Sequence, residues 1–133
     1  MSQVNNTTRI SGIYDNSKEL KPITDRIKVA LEKAFPKAVL SIRTYTSDSE
    51  FCIEDETGRV ITEFFLDQNE HGTSFRIGYY IDTDREEVQT VQTFNNAKEF
   101  DTVGRVAVEL VQRRLSRKIA ELKKKLSSIE RIL

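Results

Sequence analysis

Apolar residues first fall into order at Leu20, Ile23, Ile27, Leu31 and Ala34, spaced by three and four. That spacing is one face of a helix, and Lys21, Lys28 and Lys33 lie off it. Asp15, Asn16 and Ser17 supply cap-type residues ahead of the run, Pro22 suits only a first turn, and Pro36 ends it. Upstream, Arg9–Tyr14 has the makings of a short strand. Residues 1–8 have nothing to bury and are expected to form a flexible N-terminus.

From Ala38 the period drops to two. Val39–Tyr45, Glu50–Glu54, Arg59–Leu66 and Ser74–Ile81 read as strands: Phe51 and Ile53 share a face, as do Phe75, Ile77, Tyr79 and Ile81. The links are short and turn-like, which implies an antiparallel meander. Glu86–Phe94 is rich in Val and Thr but alternates poorly, so a fifth strand and a helix both suit it. Polar second faces (Arg43, Glu54, Glu63, Arg76) imply helices on one side of the sheet and an open other side. Tyr45, Phe65 and Tyr80 either put aromatics on that open side, as possible sheet-face contacts, or pack under loops or the N-terminal segment.

A long helix from about Asp101 to Leu133 closes the chain, and its apolar face changes along the way. Val103, Val106, Ala107 and Leu110 form a patch suited to lying on a sheet. Leu115, Ile119, Leu122, Leu126, Ile129 and Leu133 then step by 4, 3, 4, 3, 4, a heptad seam on another side of the cylinder. Where the first patch ran, Arg113, Arg114, Arg117, Lys124 and Arg131 follow, which places the departure from the sheet near residue 112. Such a helix is ~48 Å long, against a body diameter of roughly 34 Å, so its end projects or finds cover. Three covers are open: a second copy, the first helix of the same chain, or another protein. The first is preferred, giving a homodimer through Leu115, Ile119, Leu122, Leu126, Ile129 and Leu133. Heptad charges leave the orientation open, because Lys118 and Lys123 repel in a parallel pair while Lys125 and Glu130 attract.

The expected fold class is therefore α+β: an N-terminal helix, an antiparallel four- or five-stranded meander, and a long C-terminal helix packed on one face and projecting beyond it. Residues 9–112 form the body and residues 113–133 the projecting, coiled-coil-like part of one domain. Composition agrees, since 133 residues suffice for one core without metals or disulfides. There is a single cysteine, Cys52, and no apolar run spans a bilayer or resembles a secretion signal. A cytoplasmic protein without membrane partners is the expectation.

Charge changes the picture more. The net charge is zero, but residues 1–45 carry a surplus of four positive charges and residues 101–133 a surplus of five. Residues 46–100 carry nine negative charges in excess. Either solvated faces or a polarised surface that steers a charged partner follows from this.

Candidate chemistry is sparse. Cys52 and His71 are one nucleophile and one base with nothing to bring them together, and a structural thiol and a turn histidine are the plainer readings. Asp82–Glu87 gathers four carboxylates that suit a hard cation, but lacks the glycine and spacing of an EF-hand. The five glycines form no phosphate-binding motif. No catalytic, cofactor or metal residue is assigned, and no cofactor is expected. Arg113, Arg114, Arg117, Lys118, Lys123, Lys124 and Lys125 form a basic helix face, a possible contact for a protein partner or for nucleic acid. Helix–meander–helix layouts of this size resemble small adaptor, chaperone and inhibitor domains. The reading is a non-enzymatic homodimeric protein-binding module acting by stoichiometric contact, with a nucleic-acid-binding accessory protein as the alternative.

Overall fold

A computed structural model describes residues 7–12, 14–71, 73–81, 84–95 and 97–133. The elements run β1 (Thr7–Gly12), α1 (Lys21–Ala34), β2 (Val39–Thr44), β3 (Asp48–Glu54), β4 (Val60–Gln68), β5 (Phe75–Tyr80), β6 (Val88–Phe94), α2 (Ala97–Phe100) and α3 (Val103–Glu130). The fold is α+β, as the residue pattern implies, but the sheet is neither four- nor five-stranded nor purely antiparallel. It has six strands in the order β1-β2-β3-β4-β5-β6. β2 to β6 form the meander, while β1 lies parallel to β2, so α1 is the crossover of a βαβ unit rather than the first element. The single apolar side chain of β1, Ile10, is exposed. The strand is held instead by backbone pairing and polar ties, Thr8 to Glu32 at 2.6 Å and Arg9 to Glu54 at 2.7 Å. The ambiguous segment Glu86–Phe94 contains a strand, β6, and its poor alternation has a cause: a bulge opposite Ile77 and Gly78 puts Val91 out of register. Of the N-terminal segment expected to be loose, residues 1–6 lie outside the described residues, and Thr7 and Thr8 open β1.

Register sorts the strands into two faces. Leu40 and Ile42 of β2 pair with Ile53 and Phe51 of β3, and Phe51 pairs with Phe64 of β4. Leu66 pairs with Ile77, and Phe75 with Phe94. All of these are buried in one cluster with Leu20, Ile23, Ile27 and Leu31 at α1 and with Val103, Val106, Ala107, Leu110 and Val111 of α3. Both long helices thus cover one face. They approach closely where Gly104 meets Ala30: a Cβ at 104 would lie 2.8 Å from that of Ala30.

The cap-type residues before α1 act as tertiary ties. Leu20 occupies the N-cap position without a side-chain cap, while Ser17 Oγ accepts the Leu20 amide at 3.2 Å and donates to Gln68 at 2.7 Å. Asn16 Nδ2 donates to the Tyr45 carbonyl at 2.7 Å, and Asn16 Oδ1 accepts from Ser49, whose hydroxyl meets that of Thr24 inside the core at 2.9 Å. Among the described residues no buried side-chain polar atom is left without a partner, and this corner fixes how α1 meets the β2–β3 turn.

Candidate interaction surfaces

The open face of the sheet carries the acidic excess, and the chain neutralises much of it internally. Glu54, only 7% exposed, takes Arg9 Nη2 at 2.7 Å across the intervening strand β2. Asp67 takes Arg76 at 2.6 Å, and Arg85 reaches Glu50 at 3.4 Å and Glu63 at 3.7 Å. Arg85 does this from a left-handed backbone conformation, φ 60°, in the segment joining β5 to β6. Asp48 has no ion pair among the described residues. Burial, followed by the charges of Glu50 and Asp67, pushes its carboxyl above the usual range.

The aromatics of this face are covered by the chain's own arginines. Phe65 is buried because its cross-strand partner is Gly78, and the ring fills the place of the missing side chain: a Cβ at 78 would lie 2.8 Å from Phe65 Cζ. Tyr80 tilts against the Phe65 ring at 5.2 Å, and Arg76 sits 5.3 Å from the Phe65 centroid. Arg85 covers Tyr80 at 5.3 Å. Tyr45 is half-buried, and its hydrogen bond from Arg43 raises the Arg43 pKa. Little bare apolar area is left here.

Cys52 lies on the same face, with Sγ donating to Glu63 Oε2 at 3.6 Å. Burial, then the Glu63 charge, pushes its thiol up to about 11. Almost none is thiolate at neutral pH, so the residue is a poor nucleophile. Alkylation by iodoacetamide at pH 7 is expected to run on the order of 100-fold slower in the folded chain than after denaturation, the gap narrowing as pH rises toward 11. Stopped alkylation with mass spectrometry reads this, and equal rates would remove the account. His71 is exposed in the β4–β5 turn. In the Asp82–Glu87 cluster, Asp82 and Thr83 lie outside the described residues, and among the described residues no group of three metal-ligating side chains is placed to hold an ion.

The helix side is different in kind. Arg114 Nε donates to Thr62 Oγ1 at 2.7 Å, and its guanidinium stacks on Tyr79 at 4.3 Å. Leu115 also packs against the core, so contact with the body lasts through residue 115, a turn past the change of face near Gln112. Between α3 and the β5–β6 ribbon runs an open groove of about 620 Å³, lined among others by Tyr79, Gln89, Gln92, Arg113, Arg114 and Arg117. It adjoins a second hollow of about 360 Å³, where Arg114, Arg117 and Lys118 face Tyr80 and Ile81. Among the described residues, no carboxylate lies within 4.0 Å of the cationic groups of Arg113, Arg114, Arg117 or Lys118. Glu109 also borders the groove, but pairs with Arg105. Unpaired cations therefore gather along α3, while several acids of the open sheet face are matched by arginines.

Beyond Leu115, every α3 residue is exposed. Ile119, Leu122, Leu126 and Ile129 are 53%, 57%, 57% and 49% exposed along one stripe, and Leu133 lies past the helix end. Lys123, Lys124 and Lys125 sit in this part without an ion pair among the described residues. No described helix is long and apolar enough to cross a membrane. Comparison with known proteins gives no family model, no curated protein and no solved structure that matches the chain.

Proposed function

We propose that the chain is a non-enzymatic, homodimeric protein-binding module of adaptor, chaperone or inhibitor type. The observation that carries this is the free end of α3, where a heptad stripe of half-exposed Ile119, Leu122, Leu126 and Ile129 extends past the body without cover among the described residues. An apolar stripe of that period matches a helix with the same period, and a second copy supplies one at equal concentration. Folding back onto α1 would require α3 to turn, and it runs unbroken from Val103 to Glu130. The pairing places two bodies, each with its cationic groove, at fixed separation, an arrangement suited to stoichiometric capture of a partner.

Sedimentation equilibrium of the 15.4 kDa chain across micromolar concentrations tests the reading. A mass rising to twice the chain mass is expected, and a monomer throughout would overturn it. A second reading, a nucleic-acid-binding accessory protein, is favoured by Arg113, Arg117, Lys118 and Lys123–Lys125 along one helix, which have no ion pair among the described residues. It ranks below the first because the one aromatic among the described residues lining the groove, Tyr79, is already capped by Arg114 and offers no free ring to a base.

A further inference from the structure

Strand β6 closes one end of the sheet, and among the described residues it pairs only with β5. No described strand pairs with its other edge, and an open strand edge is the template on which another strand adds. Proteins commonly defend such an edge with lysine, proline or a very short strand. Here the edge is seven residues, Val88-Gln-Thr-Val-Gln-Thr-Phe94, with no charge and no proline. Its one protective feature is the bulge, which leaves Val91 packed against the core. From Val88 to Thr93, every residue except Val91 is exposed.

The cationic groove runs beside this same edge. Gln89, Thr90, Val91 and Gln92 of β6 form one wall, and Arg113 and Arg117 of α3 the other. A strand added to β6 would turn alternate side chains toward α3, because side chains in a strand alternate between faces. Those positions meet guanidinium groups that have no carboxylate partner among the described residues.

We infer that β6 and the α3 groove together bind an extended acidic segment of a partner protein by strand addition. Backbone pairing with β6 supplies the attachment, and carboxylates at every second residue supply the selectivity through Arg113 and Arg117. A polypeptide fits this edge better than a nucleic acid does. It offers alternating donors and acceptors to the β6 backbone, whereas phosphates offer acceptors alone. The inference rests on the protein-binding half of the function proposed above and not on helix pairing, since no seam residue borders the groove.

The test uses the full chain and a fluorescein-labelled decapeptide of alternating Glu and Val, read by fluorescence anisotropy. Three companions are a Lys-for-Glu version, a version N-methylated at alternate backbone amides, and a single-stranded oligothymidylate. The acidic peptide is expected to bind, its affinity falling at least about tenfold in Arg113→Glu/Arg117→Glu and about tenfold on N-methylation. The Lys-for-Glu peptide is expected not to bind, and equal binding of it would overturn the charge selectivity. Both arginines are exposed, so the variant should keep its circular dichroism and melting temperature. Binding is expected to persist in a Leu122→Asp chain that has lost the dimer, which separates failure of this site from failure of pairing. N-methylation without effect would overturn strand addition, and an unaffected double arginine variant would overturn the groove. Tighter binding of the oligothymidylate, lost in the same variant, would overturn the acidic segment as the occupant and assign the groove to nucleic acid.

Discussion

Leu122→Asp combined with Leu126→Asp is expected to convert the proposed dimer to a monomer while leaving the body folded. Each leucine is 57% exposed in the single chain, so a substantial part of its apolar surface is available for burial on pairing. Full burial of a leucine stabilises by about 1.5–3 kcal/mol, and partial burial here contributes roughly half of that. Two leucines on each of two helices then contribute several kcal/mol, before the cost of placing aspartates in the seam. Since about 1.4 kcal/mol is tenfold in affinity, the dissociation constant should rise by well over about 100-fold. Sedimentation velocity reads the mass, and circular dichroism at ~222 nm reads a second effect, because an isolated helical stretch shorter than ~12–15 residues is marginal in water. Residues 116–130 are exposed throughout and no described residue buries them. The monomeric variant should therefore also lose helical signal from that end. Identical sedimentation of variant and parent would sink the assignment of the seam.

The basic residues near the seam make a salt effect part of the same expectation. A parallel pair would set Lys118 against Lys123, and Lys125 against Glu130. Exposed charges of this kind are screened by salt. The seam itself is apolar, so pairing should survive high salt, whereas acidic-peptide binding at Arg113 and Arg117 should weaken. The two proposed surfaces of α3 would then differ in salt sensitivity, so high salt should weaken the groove and leave the seam paired.

What the residue pattern conveys, and what it withholds, follows from where the determining contacts lie. α1 and the meander are legible because Leu20, Ile23, Ile27 and Leu31, and Phe51 against Phe64, bury one face each and so impose a period. β1 is far less so: Thr7–Gly12 has a single apolar residue, and its strand exists because the β2 edge is there to pair with. β6 is hidden for a related reason, being exposed except at Val91 and Phe94, with the bulge breaking alternation. The burial of Phe65 on the polar face depends on Gly78 lying opposite, a cross-strand relation between distant residues that composition does not reveal. The arginines after Gln112 are visible as a cationic face, but their groove appears only once β6 is set beside α3. Arg114 shows the limit of the pattern, since its stem and guanidinium remain on Thr62 and Tyr79.

Phe51→Ala should be the most damaging single substitution in the body. Phe51 is 1% exposed, stacks on Phe64 with centroids 4.8 Å apart, and lies in the central part of the sheet beneath the helices. Truncation removes the apolar surface and leaves a cavity that strands on both sides hinder from closing, for a cost of about 3–5 kcal/mol. For a chain of this size that corresponds to a melting temperature lower by roughly 10–20 °C. Ile129→Ala is the matching control, because Ile129 is half-exposed and lies beyond the part of α3 that packs on the body. At concentrations where the chain is monomeric it should leave the melting temperature within about 1 °C, a surface substitution away from any packed feature. Urea unfolding followed by circular dichroism separates the two, with the Phe51 variant shifting the midpoint and the Ile129 variant shifting only the dimer dissociation constant. Equal stability of Phe51→Ala and the parent would mean that the sheet does not pack against the helices through this face.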